Sequence, residues 1–243
     1  MKSDKKSLYR HVPNTITCLN LFCGCLSILY SFGGMLEIAA YCILAAAVFD
    51  FFDGFAARWL KAYSAMGKEL DSLADVVSFG VAPACIMYVI LLPAVYQYGF
   101  PGWMALPAFF IAVFSALRLA KFNIDTRQTD SFIGLPTPAN ALFICSLAFV
   151  TPGNRLLSML TGNMFFLLAV IVVFSFLMVS ELPLFSLKFK SFDWKSNKIR
   201  YIFVIIPLPV LAILHWAGLA VVILVYIILS VITNILCNRK ASP

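Results

Sequence analysis

The chain consists of long apolar runs separated by short polar stretches. Each run approaches the roughly 20 residues that a helix needs to cross about 30 Å of hydrocarbon. The pattern therefore predicts an all-α, polytopic membrane protein with about eight transmembrane helices, of which the fifth is the shortest. Almost no loop separates the last two runs. The runs cover residues 15–34, 37–57, 73–97, 103–122, 136–152, 158–181, 200–216 and 218–236.

The positions of the basic residues predict how these helices are oriented. If the N-terminus is cytoplasmic, the cytoplasmic stretches contain every Lys and Arg of the chain except Arg155. Cytoplasmic loops of membrane proteins are enriched in these residues, so we expect both termini in the cytoplasm. The reverse orientation or an odd number of helices would break the segregation. The stretches are 1–14, 58–72, 118–135, 183–200 and 237–243.

The same pattern suggests three parts of the chain. Residues 1–14 form a polar cytoplasmic segment, 15–182 a membrane domain of six helices, and 183–243 a cytoplasmic loop followed by two helices. Composition agrees, since 62% of the residues are hydrophobic and 12% are charged. Soluble domains have about 45–50% apolar and about 25% charged residues. The net charge of +7 argues for anionic lipid headgroups and against a nucleic acid, because the basic residues lie at the ends of apolar runs.

Four carboxylates lie together in the sequence. Asp50 and Asp53 are three residues apart near the end of the second run, and Asp71 and Asp75 are four apart near the start of the third. Each pair shares one face of a helix, and the short connection makes the two helices antiparallel, so the pairs can face each other. Carboxylates near hydrocarbon are costly. One or two Mg²⁺ or Mn²⁺ ions would offset that cost and would share their ligand shell with phosphates.

Small and basic residues accompany the carboxylates. Gly54 and Gly67 leave room for a ligand beside the backbone. Arg58 follows Gly54 by one helical turn and can meet a phosphate or a carboxylate. Solvated helix ends and helix packing would explain any one of these residues, but not the whole set at this spacing.

The stretch 50–75 resembles the signature of the CDP-alcohol phosphotransferase family, D-x2-D-G-x2-A-R-x8-G-x3-D-x3-D, at all eight fixed positions. The resemblance implies transfer of a substituted phosphoryl group from a CDP-linked lipid to an alcohol, with release of CMP, by a homodimer. It implies that Asp50, Asp53, Asp71 and Asp75 bind the metal and that Asp75 is also the catalytic base. The implied contacts to the CDP-lipid are Pro13, Asn14, Thr15, Ile16, Gly54, Ala57, Arg58, Ser64 and Gly67.

Three further stretches resemble the phosphatidylserine synthases of that family, namely 78–84, 116–123 and 132–139. The resemblance implies CDP-diacylglycerol and L-serine as substrates. Cations would bind the serine carboxylate, and polar side chains or free carbonyls its ammonium group. The candidate serine contacts are Arg118, Lys121, Asn123 and Thr137. The preference for positive charge in the cytoplasm explains Arg118 and Lys121 equally well. Many relatives have Arg where Lys121 stands, and Lys lacks the planar fork of Arg.

Other functions remain open at this stage. The acceptor could be glycerol 3-phosphate or inositol phosphate, with Arg118, Lys121 and Arg127 around its phosphate. An ion-coupled membrane transporter would have acidic residues near the bilayer midplane and an internal repeat. Here the Asp residues lie at one interface and no repeat is visible. A purely structural protein leaves the Asp residues unexplained. The expected location is a prokaryotic-type inner or plasma membrane, with the active site facing the cytoplasm.

Overall fold

A computed structural model describes residues 2–125, 131–149, 155–185 and 207–241. The helices are α1 (Lys2–Phe32), α2 (Leu36–Trp59), α3 (Ala65–Asp75), α4 (Ala82–Gln97), α5 (Phe110–Ile124), α6 (Thr137–Ala148), α7 (Arg155–Thr161), α8 (Met164–Val179), α9 (Pro207–Leu214) and α10 (Gly218–Ala241). A π-helical segment (Val76–Val81) joins α3 to α4, and 3-10 segments precede α5 (Gly102–Phe109) and α10 (His215–Ala217). Two short strands are β1 (Ser131–Ile133) and β2 (Pro183–Phe185).

The described helices confirm an all-α protein that crosses the membrane several times. Five helical runs are long and apolar enough to span a bilayer, and α6 and α8 are shorter apolar helices. The exact number of spans and the side of the termini stay predictions. Arg127 and residues 186–206, which include the start of the seventh predicted run, lie outside the described residues. The five runs are His11–Phe32, Leu36–Trp59, Ala65–Gln97, Gly102–Ile124 and Pro209–Asn234.

The structure differs from the predicted runs at the first helix. Helix α1 begins at Lys2 and includes Pro13, so 2–14 is helical and continuous with the first membrane run. The polar composition of this segment indicates an aqueous environment and does not exclude a helix. A helix can continue beyond the hydrocarbon because its backbone hydrogen bonds are internal.

The helical run around the second Asp pair also begins earlier than its apolar composition indicates. Ser64 caps α3, because its Oγ accepts a hydrogen bond of 2.9 Å from the backbone N–H of Gly67. Such a cap satisfies an N–H group that has no partner within the helix. Helix α3 then continues through the π-helical segment into α4. As a result, Asp71 and Asp75 lie within a continuous helical run, which fixes the directions of their side chains.

Packing around α6 forms the centre of the bundle. Helix α6 contacts α2, α4 and α10, while α1 lies along α2 and also contacts α3 and α4. Helix α5 packs against α8 and the π-helical segment. Large side chains that are fully or almost fully buried fill the space between the helices: Ile43, Phe79, Ile86, Met87, Leu91, Ile111 and Ile144. The carboxylates lie at one end of this core.

A two-stranded ribbon precedes α6, which the apolar pattern did not predict. Strands β1 and β2 are antiparallel, with Ile133 opposite Pro183. Gly134 follows with a φ of 76°, and a Cβ there would overlap the carbonyl oxygen of Met178. The backbone N–H of Leu135 donates to the carbonyl of Leu177 over 2.9 Å. The segment leading into Thr137 is therefore attached to the end of α8.

The chain breaks sharply between α9 and α10, as the sequence predicted near residues 215–218. His215 has a φ of 49°, a left-handed conformation that ends a helix. A Cβ on Gly218 would lie 3.0 Å from the carbonyl oxygen of Val210. In a continuous helix eight residues span about 12 Å, so α9 and α10 fold against each other at this point.

Candidate functional site

Helix α2 presents two carboxylates to the interior of the bundle. Asp50 and Asp53 are separated by Phe51 and Phe52, whose side chains are 63% and 49% exposed on the outer surface. Asp53 is only 6% exposed. Because residues three apart share a helix face, the two carboxylates face inward while the phenylalanines face outward.

Helix α3 brings the second pair to the same place. Asp75 is 9% exposed, and its neighbour Ala74 is fully buried. Helix α3 packs against α1 at this point. The short connection from Trp59 to Ala65 returns the chain antiparallel to α2, as the sequence predicted.

Three of the four carboxylates form one cluster. Asp50, Asp53 and Asp71 each offer an oxygen, and these atoms lie within 4.8 Å of one another. Asp75 lies outside this group and interacts instead with the Asp50 carboxyl. One buried oxygen of Asp71, Oδ1, has no hydrogen-bond partner within the described ranges. Like charges this close in a buried site repel strongly, and a hard divalent cation would bind such a set of oxygens. The residues present therefore fit a metal ion.

Helix α1 supplies a row of polar side chains beside the carboxylates. The sequence predicted a role for Asn14 but not for Thr17 or Asn20. The Thr17 hydroxyl donates a 2.6 Å hydrogen bond to Asp53 Oδ2. The Asn20 amide donates a 3.4 Å hydrogen bond to Asp75 Oδ1. Both residues are almost completely buried. Asn14, Thr17 and Asn20 recur every three residues where the helix enters its apolar part. That spacing was the available signal, because it places polar groups on one face.

A cavity of about 210 Å³ opens beside the cluster. Arg58 and Lys68 supply positive charge to its wall, and the Arg58 guanidinium lies over Gly54, where a Cβ would be 3.5 Å from Nη1. Most of the predicted contacts to a CDP-lipid meet here, whereas Thr15 and Ile16 do not line the cavity. Thr15 is exposed and donates to the carbonyl of His11. The lining residues are Pro13, Asn14, Thr17, Asp53, Gly54, Ala57, Arg58, Ala62, Tyr63, Ser64, Gly67, Lys68 and Asp71.

Two of the candidate serine contacts are buried inside the bundle. Arg118 is 7% exposed and interacts electrostatically with Asp75. Its Nε has no hydrogen-bond partner among the described residues. Thr137, at the start of α6, is fully buried, and its Oγ1 also has no partner there. Unpartnered buried polar atoms are rare, so these two side chains are available to a ligand.

The other two candidates have partners near the surface. Lys121 Nζ lies 3.5 Å from Glu181 Oε1, and both side chains are substantially exposed. Asn123 donates a 2.8 Å hydrogen bond from Nδ2 to Ser72 Oγ, and its carbonyl accepts a bond from Lys68. These contacts connect the end of α5 to α3 and the segment after α8.

Comparison with known proteins shows relatives along most of the chain. A family model described as CDP-alcohol phosphatidyltransferase matches residues 10–177. The CDP-diacylglycerol–serine O-phosphatidyltransferase of Helicobacter pylori is 36% identical over 222 residues, which cover 90% of this chain and 89% of that protein. The enzyme of the same name from Bacillus subtilis is 40% identical over 139 residues, 57% of this chain and 76% of the relative. The archaetidylserine synthase of Methanothermobacter thermautotrophicus is 38% identical over 149 residues, covering 60% and 61%.

Proposed function

Since this chain belongs to the CDP-alcohol phosphatidyltransferase family, we propose that it transfers the phosphatidyl group of CDP-diacylglycerol to the hydroxyl of L-serine. The products are phosphatidylserine and CMP. The observation that carries the proposal is the carboxylate cluster beside a cavity with two basic side chains, Arg58 and Lys68. This arrangement suits a diphosphate at the end of a membrane helix bundle, and the names of the relatives supply the acceptor.

The carboxylate cluster is proposed to hold one or two Mg²⁺ or Mn²⁺ ions. Asp50, Asp53 and Asp71 would supply the oxygens, which already lie within 4.8 Å of one another. Asp75 would complete the set from its position against Asp50. Bound there, the metal would neutralise the diphosphate and stabilise the charge on the departing CMP.

The cavity is the proposed site of the CDP headgroup. Gly54 and Gly67 leave space at its wall, and Arg58 can donate two parallel hydrogen bonds to a phosphate. Lys68 adds a second cation that the sequence analysis did not include. The proposed contacts remain Pro13, Asn14, Thr15, Ile16, Gly54, Ala57, Arg58, Ser64 and Gly67, of which Thr15 and Ile16 would act through their place on α1.

The acceptor is proposed to approach Asp75 from the side of α5 and α6. Asp75 would take the proton of the serine hydroxyl as its oxygen forms a bond to the lipid-side phosphorus. The bond from that phosphorus to the CMP oxygen breaks in the same displacement. Arg118 would bind the serine carboxylate and Thr137 its ammonium group. Lys121 and Asn123 would act at the entrance, because both lie nearer the surface.

Membrane placement follows from the same geometry. The acyl chains would stay in lipid while the headgroup enters the cavity, and serine and CMP would exchange with the cytoplasm. We place the protein in an inner or plasma membrane with the site facing the cytoplasm, as the distribution of Lys and Arg indicates. A homodimer, and the division into segments 1–14, 15–182 and 183–243, are part of this proposal.

The acceptor is tested by offering several alcohols to the purified protein in detergent. CMP release from CDP-diacylglycerol is measured with L-serine, glycerol 3-phosphate or inositol phosphate. We expect release with serine and little with the phosphorylated acceptors. Arg118 supplies a single buried cation, whereas a phosphorylated acceptor would need several basic residues around its phosphate. Release with a phosphorylated acceptor alone would keep the reaction and overturn the choice of serine. Uptake of a solute into proteoliposomes that is driven by an ion gradient and occurs without CMP release would support a transporter instead.

Thr17→Val is expected to weaken metal binding. The substitution keeps the shape of the side chain and removes the 2.6 Å hydrogen bond to Asp53 Oδ2. Loss of such a supporting bond commonly lowers metal affinity by roughly 10–100-fold. The metal concentration for half-maximal activity should rise accordingly, while the rate at saturating metal changes little. Ser31→Ala is the control, because it removes a buried hydroxyl at the other end of α1. An unchanged metal titration in Thr17→Val would contradict the assignment.

Gly67→Ala is expected to weaken binding of the CDP-lipid. The added methyl would lie 2.9 Å from both Asn14 Oδ1 and Ser64 Oγ, so the wall of the cavity must move. Overpacking of this kind costs about 1–3 kcal/mol. The KM for CDP-diacylglycerol should rise about tenfold, with little change in the KM for serine. Gly33→Ala is the matched control, since its nearest atoms are 3.5 Å away. Equal effects of the two variants would argue against the cavity.

A further inference from the structure

Lys68 of α3 lines the cavity and also reaches the end of α5. Its Nζ donates a 3.4 Å hydrogen bond to the backbone carbonyl of Asn123. Asn123 lies in the last turn of α5, where carbonyl groups lack a partner within the helix and carry partial negative charge. Within the part of the chain that the structure describes, no carboxylate lies within 4.0 Å of the Lys68 ammonium group. Lys68 is therefore held by the end of α5 and not by an ion pair.

A second contact fixes the end of α5 against α3. The Asn123 side chain donates a 2.8 Å hydrogen bond from Nδ2 to Ser72 Oγ. The Ser72 hydroxyl in turn donates over 3.2 Å to the backbone carbonyl of Lys68. Lys68 and Ser72 are four residues apart, so they share a face of α3. The three residues thus form a closed set of hydrogen bonds between the two helices.

Only one member of this set belongs to the cavity. Lys68 lines it together with Asp71 of the carboxylate cluster, whereas Ser72 and Asn123 do not. A lysine ammonium group is a point charge on a flexible stem, and an exposed one is free to turn into solvent unless a contact restrains it. The group has three N–H donors. One of them bonds to the Asn123 carbonyl, so two stay available to phosphate oxygens at the wall of the cavity.

We propose that Asn123 is a positioning residue for Lys68 and that it strengthens binding of the CDP-lipid. The inference rests on the proposed function, in which the cavity holds the diphosphate. It refines the role of Asn123, which acts on the CDP-lipid through Lys68 and does not bind serine. Helix α5 then serves both substrates, since it also carries Arg118, the proposed partner of the serine carboxylate.

The test is a comparison of Asn123→Ala with Ser72→Ala, which remove the same 2.8 Å hydrogen bond from its two ends. The loss of one hydrogen bond should raise the KM for CDP-diacylglycerol about fivefold in each variant. The kcat and the KM for serine should stay within about twofold of wild type. The double variant should be no worse than either single one, because both changes break one contact.

Two further variants separate positioning from a general loosening of α5. Glu181→Gln is the matched control, because it breaks the other contact at this end of α5, the 3.5 Å ion pair with Lys121. Its KM for CDP-diacylglycerol should match that of wild type. Lys68→Met removes the ammonium group and keeps the apolar stem. If Asn123 acts through that group, Asn123→Ala should change the KM for CDP-diacylglycerol by less than about twofold in the Lys68→Met background.

Three results would overturn the inference. They are an unchanged KM for CDP-diacylglycerol in Asn123→Ala, a rise in the serine KM alone, and an equal effect in Glu181→Gln. Failure of the proposed function would look different, because wild type would then release no CMP with serine. In that case, calorimetric titration of the same variants with CDP-diacylglycerol decides the role of Asn123. Weaker binding in Asn123→Ala and Ser72→Ala than in Glu181→Gln supports it, and equal binding in all three overturns it.

Discussion

Asp75→Asn is expected to lower the rate of CMP release from CDP-diacylglycerol about 1,000-fold at saturating serine and metal. A positioned general base contributes roughly 10²–10⁴-fold, and Asn cannot take the serine proton. Asn keeps the size of the side chain and can still accept the hydrogen bond from Asn20. Binding of the CDP-lipid, measured by titration, should change by less than about threefold, because Asp75 does not line the cavity.

The control for this variant is Glu69→Gln on the same helix. Glu69 is exposed and lies outside the cavity, so its variant should release CMP at the wild-type rate. Near-normal activity in Asp75→Asn would show that the base is another group.

Asp71→Asn is expected to lower activity strongly for a different reason, the loss of a metal ligand. Its Oδ1 is buried without a partner in the part of the chain that the structure describes, and its carboxylate belongs to the cluster within 4.8 Å. Activity at a metal concentration that saturates wild type should fall more than about 100-fold. Part of it should return as the metal concentration is raised, which distinguishes a weakened ligand set from a lost base. The measurement is a Mn²⁺ and Mg²⁺ titration of CMP release.

Asp75→Asn provides the internal comparison for that titration. Its low rate should stay low at every metal concentration, because the three clustered carboxylates remain. Glu69→Gln should follow the wild-type curve. If Asp71→Asn binds metal as tightly as wild type, for example by calorimetry, the cluster is not the metal site that we propose.

The arrangement of the carboxylates could be predicted from the sequence because it depends on local geometry. Spacings of three and four residues place Asp50 with Asp53 and Asp71 with Asp75, whatever the rest of the fold does. A short antiparallel connection then brings the pairs together. The membrane class followed equally directly from the apolar runs. These inferences need only the period of a helix and the thickness of a bilayer.

The partners of the carboxylates could not be predicted in the same way, because they come from distant parts of the chain. Thr17 and Asn20 gave a periodic signal on α1, but nothing local shows that this face meets α2 and α3. For Arg118, position in the sequence was compatible with a loop charge or a buried one. The structure shows the buried one.

The ribbon and the early start of α3 also depend on features that apolar runs do not reveal. A three-residue strand such as β1 is too short for a clear alternation of polar and apolar positions. The start of α3 depends on the cap at Ser64, in a polar stretch that looks like a loop by composition. Both features would matter for the proposed function, in which Thr137 lies on one side of the site and Gly67 on the other.

The most direct test of the account measures both products together. Purified protein in detergent is given CDP-diacylglycerol and L-serine with Mn²⁺ or Mg²⁺, and CMP and phosphatidylserine are quantified in the same samples, with and without a chelator. If the protein carries out the proposed reaction, the two products form in equal amounts, only with serine, and the chelator stops both. Absence of phosphatidylserine and CMP from folded protein that binds the CDP-lipid, with metal and serine present, would contradict it.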